Sequence, residues 1–235
     1  MQYQRIMLKL SGEALGESGW LFDHSQIGKV ASIIKAIVEK GTQVGVVIGG
    51  GNLWRGRHGA AAGMDAVRAD HMGMLGTLMN CLVMQDALDQ IGIKARMFSA
   101  LHVPDICANY RRDLAVEALE NNGVALFGGG LGNPFFTTDT AVVLRALELH
   151  AQALLLAKNV DGVYTADPRL DPAATLIKDI TYKEAIEKGL KVMDMSAFLM
   201  CAEHGLPQVR VFGLDTPNNI LRVLSGEDLG TTLHP

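Results

Sequence analysis

Six short apolar runs punctuate the chain: RIMLKL, VGVVI, KARMF, VALFG, ALLLA and QVRVF. They are rich in branched and aromatic side chains and too short for helices, so they predict strands, and the segments between them carry the 3.6-residue apolar period of helices. The first helix is expected from about Asp23, a natural N-cap, with Ile27, Val30, Ile34, Ile37 and Val38 on one face and Gly41 as its stop. A longer helix is expected over roughly 70–91, carrying Met72, Leu75, Met79 and Leu82 and closed by Gly92, its methionines serving as adaptable core packing. Another should start at TTDT (137–140), a short one at the capping box of Thr181 and Glu184, and the last at Thr216, with Pro217 in the first helical position. Strands alternating with helices predict an α/β fold: an open, mainly parallel sheet sandwiched between helices, with ligands outside the carboxyl ends of the strands.

Composition narrows the class. Roughly half of the 235 residues are hydrophobic, the seven prolines are scattered, and neither a linker-like tract nor a repeat interrupts the pattern, which predicts a single domain over 1–235. A formal net charge of −4 argues against a sequence-independent nucleic-acid binder but leaves room for local cationic pockets. Cys81, Cys107 and Cys201 lie far apart, so neither a disulfide framework nor a zinc ribbon is suggested. The N-terminus lacks a signal-peptide pattern and no apolar span approaches ~18 residues, so a cytoplasmic protein without membrane attachment is expected.

The candidate chemistry sits at strand ends. VVIGGGNLWRGR (46–57) is a β-branched run that empties into Gly49, Gly50 and Gly51, followed by Arg55 and Arg57. Bare backbone N–H groups and guanidinium groups suit a phosphate, yet neither the Walker A nor the G-x-G-x-x-G pattern fits, and a plain tight turn is the competing reading. Lys9 ends the first strand ahead of Ser11 and Gly12. Two such loops, each with a cation nearby, can flank the transfer of one phosphate to another.

FGGGLGNPFFTTDT (127–140) adds a Pro-fixed turn, two aromatics and a helix start suited to an anion, although Thr137 and Thr138 also serve as ordinary caps and Phe135 and Phe136 as core. In LLLAKNVDGVYTADP (154–168), Asn159, Tyr164 and Asp167 could meet a base and ribose, or form a surface hairpin. No H-x-x-x-H, H-E-x-x-H or G-x-S-x-G occurs, so metal-dependent hydrolysis and esterase chemistry have no support. His71 reads as a helix-terminal residue.

Taken together, KLSGEAL, VVIGGGNLWRG, DHMGML, GNPFFTTDTA, VDGVYTADP, KVMDMSAF and GTTL resemble the bacterial uridylate kinases, nearly end to end. That resemblance implies the amino acid kinase fold, phosphorylation of UMP to UDP by ATP with Mg²⁺ for pyrimidine nucleotide synthesis, and a homohexamer. It implies ATP phosphates at Lys9, Leu10, Ser11, Gly12, Gly51 and Arg55, with adenosine at Asn159, Tyr164 and Asp167. UMP would meet Gly50, Asp70 and the run Leu131, Gly132, Asn133, Pro134, Phe135, Phe136, Thr137 and Thr138. Lys9, Arg55 and Asp139 would be catalytic, and the magnesium would bind mainly through the ATP phosphates. Leu131 replaces a threonine common in the family, which removes a side-chain hydrogen bond to uracil. GESGWLF (16–22) departs from the loop associated with the GTP response in parts of the family, and the resemblance further implies GTP as a candidate activator and UTP as a candidate inhibitor. The alternatives are an amino acid or carboxylate kinase of the same fold and a nucleotide-binding sensor without turnover.

Overall fold

The computed structural model describes residues 3–16, 20–56, 59, 63–121, 123–168, 170–190, 192–214 and 216–235. Arg57, and residues 17–19 of the 16–22 loop, lie outside the described residues. The strands are β1 (Arg5–Leu10), β2 (Gln43–Ile48), β3 (Ala95–Ser99), β4 (Ala108–Asn109), β5 (Val124–Gly128), β6 (Ala153–Lys158), β7 (Val163–Tyr164), β8 (Leu176–Ile177), β9 (Asp179–Thr181), β10 (Val209–Gly213) and β11 (Thr231–His234). The helices are α1 (His24–Val38), α2 (Ala66–Gln90), α3 (Arg112–Glu120), α4 (Thr138–Glu148), α5 (Tyr182–Glu187), α6 (Met195–His204) and α7 (Asn219–Leu224), with a 3₁₀ turn at Gly12–Leu15.

The period of two in β1 sends Ile6, Leu8 and Leu10 into one core and Met7 into another, on the opposite face. A strand buried on both faces belongs in the middle of a parallel sheet, and β1 lies between β2 and β6, parallel to both. The order is β4-β3-β5-β2-β1-β6-β10-β11-β9 among the described residues. Every pairing in that sheet is parallel except β10 with β11, so the terminal GTTL run adds an antiparallel strand that the alternation of strand and helix did not predict. A separate antiparallel ribbon joins β7 to β8. Helices α1, α2 and α7 cover one face, around Ile34, Val46, Leu78 and Val223; α3 to α6 cover the other, around Leu119, Val142, Leu156 and Phe198.

Caps set three helix starts as the sequence predicts. Asp23 accepts from the N–H groups of Ser25 and Gln26 at 2.8 and 3.0 Å, Thr137 caps α4, and Thr181 and Glu184 form the reciprocal box at α5. Three expectations need correction. The long helix starts at Ala66, four residues before the expected Asp70, because Asp65 accepts from the Arg68 N–H and opens it earlier. The last helix starts at Asn219: Thr216 and Pro217 instead form a tight turn whose carbonyls accept from Asn219 and Ile220.

The third concerns the facing of α2. Met72, Leu75, Met79 and Leu82 point outward, 38–51% exposed, while Leu78, Cys81, Met84 and Leu88 fill the core. A helix apolar on both faces carries no periodicity that chooses between them. No described helix is long and apolar enough to cross a membrane.

Candidate active site

The carboxyl ends of β5, β2, β1 and β6 lie side by side, so the loops that begin at residues 129, 49, 11 and 159 open on one edge of the sheet. Strand parity decides which side chains meet there. Lys9 shares the parity of Met7, and Lys158 that of Leu154 and Leu156, so both lysines project to the face covered by α4. Thr137 caps that helix, which places Asp139 in its first turn directly between them.

Lys9 Nζ lies 3.0 Å from Asp139 Oδ1, and Lys158 Nζ 3.2 Å from Oδ2. All three side chains are largely buried. Burial alone would raise the Asp139 carboxyl, but the ammonium groups of Lys9 and Lys158 overcome it and hold it below the ordinary carboxylate range. Burial, opposed by Asp139 and reinforced by Lys9, pulls Lys158 below the usual lysine value. With both lysines charged, two cations share one anion, and the cluster presents a surplus positive charge.

Two cavities open beside these loops and share Glu13, and Lys9 of the cluster lines one of them. One, of about 520 Å³, is lined by Lys9, Ser11, Gly12, Gly50, Gly51, Arg55, Asp70, Leu131, Asn133, Phe136, Thr137 and Thr138. The other, of about 700 Å³, is lined by Asn159, Asp161, Pro168, Gly213 and Pro217, together with Glu13, which walls both. Of the remaining expected residues, Leu10 is buried at the end of β1, and Gly132, Pro134 and Phe135 belong to the loop that closes the first cavity. Asp167 directly precedes Pro168 of the second cavity, while Tyr164 sits in the β7–β8 ribbon and donates to Asp161 at 2.9 Å.

The loops are held at close quarters. A Cβ at Gly12 would stand 2.2 Å from Asn52 Oδ1 and 2.4 Å from the Gly49 carbonyl, so the β1 and β2 loops meet only because residue 12 has no side chain. Phe135 has φ 70°, and its N–H donates to Asp70 Oδ2 at 2.7 Å, tying the Pro134 turn to α2. Phe135 is 75% exposed and Phe136 50%, which excludes the core reading of these aromatics.

Several residues at the site carried no sequence signal strong enough to single them out. Lys158 stood out in the sequence only as the end of an apolar strand, without a role. Glu13 accepts from Ser11 and pairs with Arg55; burial raises its carboxyl, but these bonds outweigh it and hold the pKa low. Asp194, in KVMDMSAF, caps α6 through Oδ1 while Oδ2 accepts from Thr137 and, at 2.8 Å, from Thr140. Lys158 also donates to the Val192 carbonyl, so this one segment braces both the cluster and the start of α4. Trp54 acts in packing: Nε1 donates to the Ala69 carbonyl at 2.9 Å and its ring lies against Gly59.

An open, mainly parallel sheet sandwiched by helices, with glycine-bearing loops and a largely buried lysine–aspartate–lysine cluster at the strand ends, defines an α/β protein whose site suits phosphate. The chain belongs to the amino acid kinase family, whose sequence model matches residues 4–213. Its relatives are more specific. The uridylate kinase of Serratia proteamaculans is 51% identical over 98% of this chain and 96% of its own, and that of Bacteroides thetaiotaomicron 48% over 99% of each. Among solved structures, UMP kinase from Bacillus anthracis superposes with a TM-score of 0.94 at 36% identity, covering all of this chain and 97% of that one.

Proposed function

We propose that the chain is a UMP kinase that moves the γ-phosphoryl of ATP onto a phosphate oxygen of UMP, within the pyrimidine nucleotide supply of the cytoplasm. The observation that carries this reading is the pairing of Lys9 and Lys158 across Asp139, with Lys9 on the wall of a cavity that shares Glu13 with a second one. The UMP phosphate, a dianion near neutral pH, attacks the γ-phosphorus. The bond from that phosphorus to the β,γ-bridging oxygen breaks, and its electron pair leaves on ADP. Charge balances without a proton moving, since ATP⁴⁻ and UMP²⁻ become ADP³⁻ and UDP³⁻, and no general base is required.

Charge neutralisation and positioning do the catalysis. Lys9 meets the transferring group, and Asp139 keeps both ammonium groups aimed at it. Arg55 and Gly51 line the donor side, and Gly50 and the 131–138 loop enclose UMP. The second cavity, at Asn159, takes the adenosine.

The residues offer magnesium no cage of their own. No three His, Cys, Asp or Glu side chains converge among the described residues, and each oxygen of Asp139 already faces an ammonium. The Mg²⁺ that neutralises phosphate charge would arrive on ATP, held by its oxygens.

A self-associated enzyme, a homohexamer by family resemblance, is part of the same reading. The exposed stripe of Met72, Leu75, Met79 and Leu82 is what a second copy would cover. The deciding experiment measures ADP release with Mg-ATP and UMP, CMP, dTMP, aspartate or N-acetylglutamate as acceptor, with UTP and GTP added in turn. Release with UMP supports the reading; release only with an amino acid defeats it.

A further inference from the structure

Asn80 is fully buried on the inner face of α2, beside Leu78, Cys81 and Met84, and lines neither cavity. A carboxamide in such surroundings is costly unless its hydrogen bonds are made, and here they run to the glycine loop. Nδ2 donates to the Gly49 carbonyl at 2.6 Å and to Asn52 Oδ1 at 2.9 Å, and Oδ1 accepts from Asn52 Nδ2 at 3.1 Å. These are the two oxygens against which Gly12 is pressed, and the Gly49 N–H in turn donates to Leu10 at 2.9 Å. One helical turn earlier, Thr77 accepts from the Gly129 N–H at 2.8 Å, so the buried edge of α2 grips the loops after both β2 and β5.

We infer that Asn80 is a positioning residue: it fixes how far the Lys9–Gly12 loop stands from Gly49–Gly51, and so how far the donor phosphate stands from the acceptor. The inference rests on the kinase reading above. Phosphoryl transfer with no chemical base depends on placement, and an error near 1 Å costs about a hundredfold in rate. Asn80 therefore acts on kcat more than on substrate affinity. Loosening it also lets water reach the γ-phosphorus in place of UMP. Water then forms the new P–O bond, ADP leaves with the bridging electron pair, and inorganic phosphate and a proton are released.

The test compares the unaltered chain with Asn80→Leu, which keeps the volume but removes the bonds, and Asn52→Ala, at the half-buried partner, which remains readable if the first fails to fold. Initial rates per folded molecule are measured together with the ratio of ADP to UDP. The expected result is a kcat about tenfold to a hundredfold lower, KM for ATP and UMP within about threefold, and more ADP than UDP. A lowered melting temperature with unchanged kcat and a one-to-one ratio, or a rise in KM alone, overturns the role. Absence of UDP from the unaltered chain defeats the functional reading instead, and this role with it.

Discussion

At the scale of the residue, the site turns on one carboxylate between two ammonium groups, and each member has a separate test. On the proposed reading Lys9 meets the transferring phosphate, so Lys9→Ala should lower kcat by at least ~10² with the circular dichroism spectrum unchanged; near-normal turnover would refute the role. Asp139→Asn leaves two cations facing each other in a largely buried place and is expected to lower stability by about 3 kcal/mol at pH 7. The sign of the pH dependence follows from the lowered pKa of Asp139. Its contribution is fully present above the unfolded carboxylate value of roughly 4, and is lost as pH falls through the lower folded value. Urea titrations of the two proteins should therefore diverge at neutral pH and converge in acid. A difference that stays constant down to pH 3 would exclude the ionised pair as its source. In the sequence, Lys9 and Asp139 were legible as single residues, whereas their contact was not, because 130 positions of chain separate them.

Elements follow local rules wherever one hydrogen bond decides. The Thr181 and Glu184 box is complete, since Thr181 Oγ1 accepts from the Glu184 N–H at 3.1 Å and Glu184 Oε2 from the Thr181 N–H at 3.1 Å. Thr181→Ala should cost about 1 kcal/mol, read as a shift of the urea midpoint with activity retained. The same rules mislead where two signals compete. Asp65 and Asp70 both suit the start of α2, and the earlier one won, leaving Asp70 free to accept from Phe135. At the last helix, Pro217 suits a first helical position but equally suits a turn, and the turn formed.

The whole molecule adds what neither scale contains. The outward stripe on α2 lies on the helix whose inner edge holds the glycine loops. Placing a charge in the stripe, as in Leu75→Glu, should shift the protein to smaller species by light scattering, because an interface core cannot cheaply bury an unpaired carboxylate. A mass unchanged by that substitution would show that the stripe is not the contact between copies. The sequence by itself determined six of the nine strands described in the main sheet, the α/β class, three helix caps and the glycine-bearing loops at the strand ends, since these depend on contacts a few residues apart. Only the tertiary structure decided which face of α2 is buried, that Lys158 joins Lys9 on Asp139, and that Asn80, Glu13 and Asp194 brace the site. Those outcomes depend on which strands lie side by side and in what register, and periodicity within one segment carries no record of its neighbours.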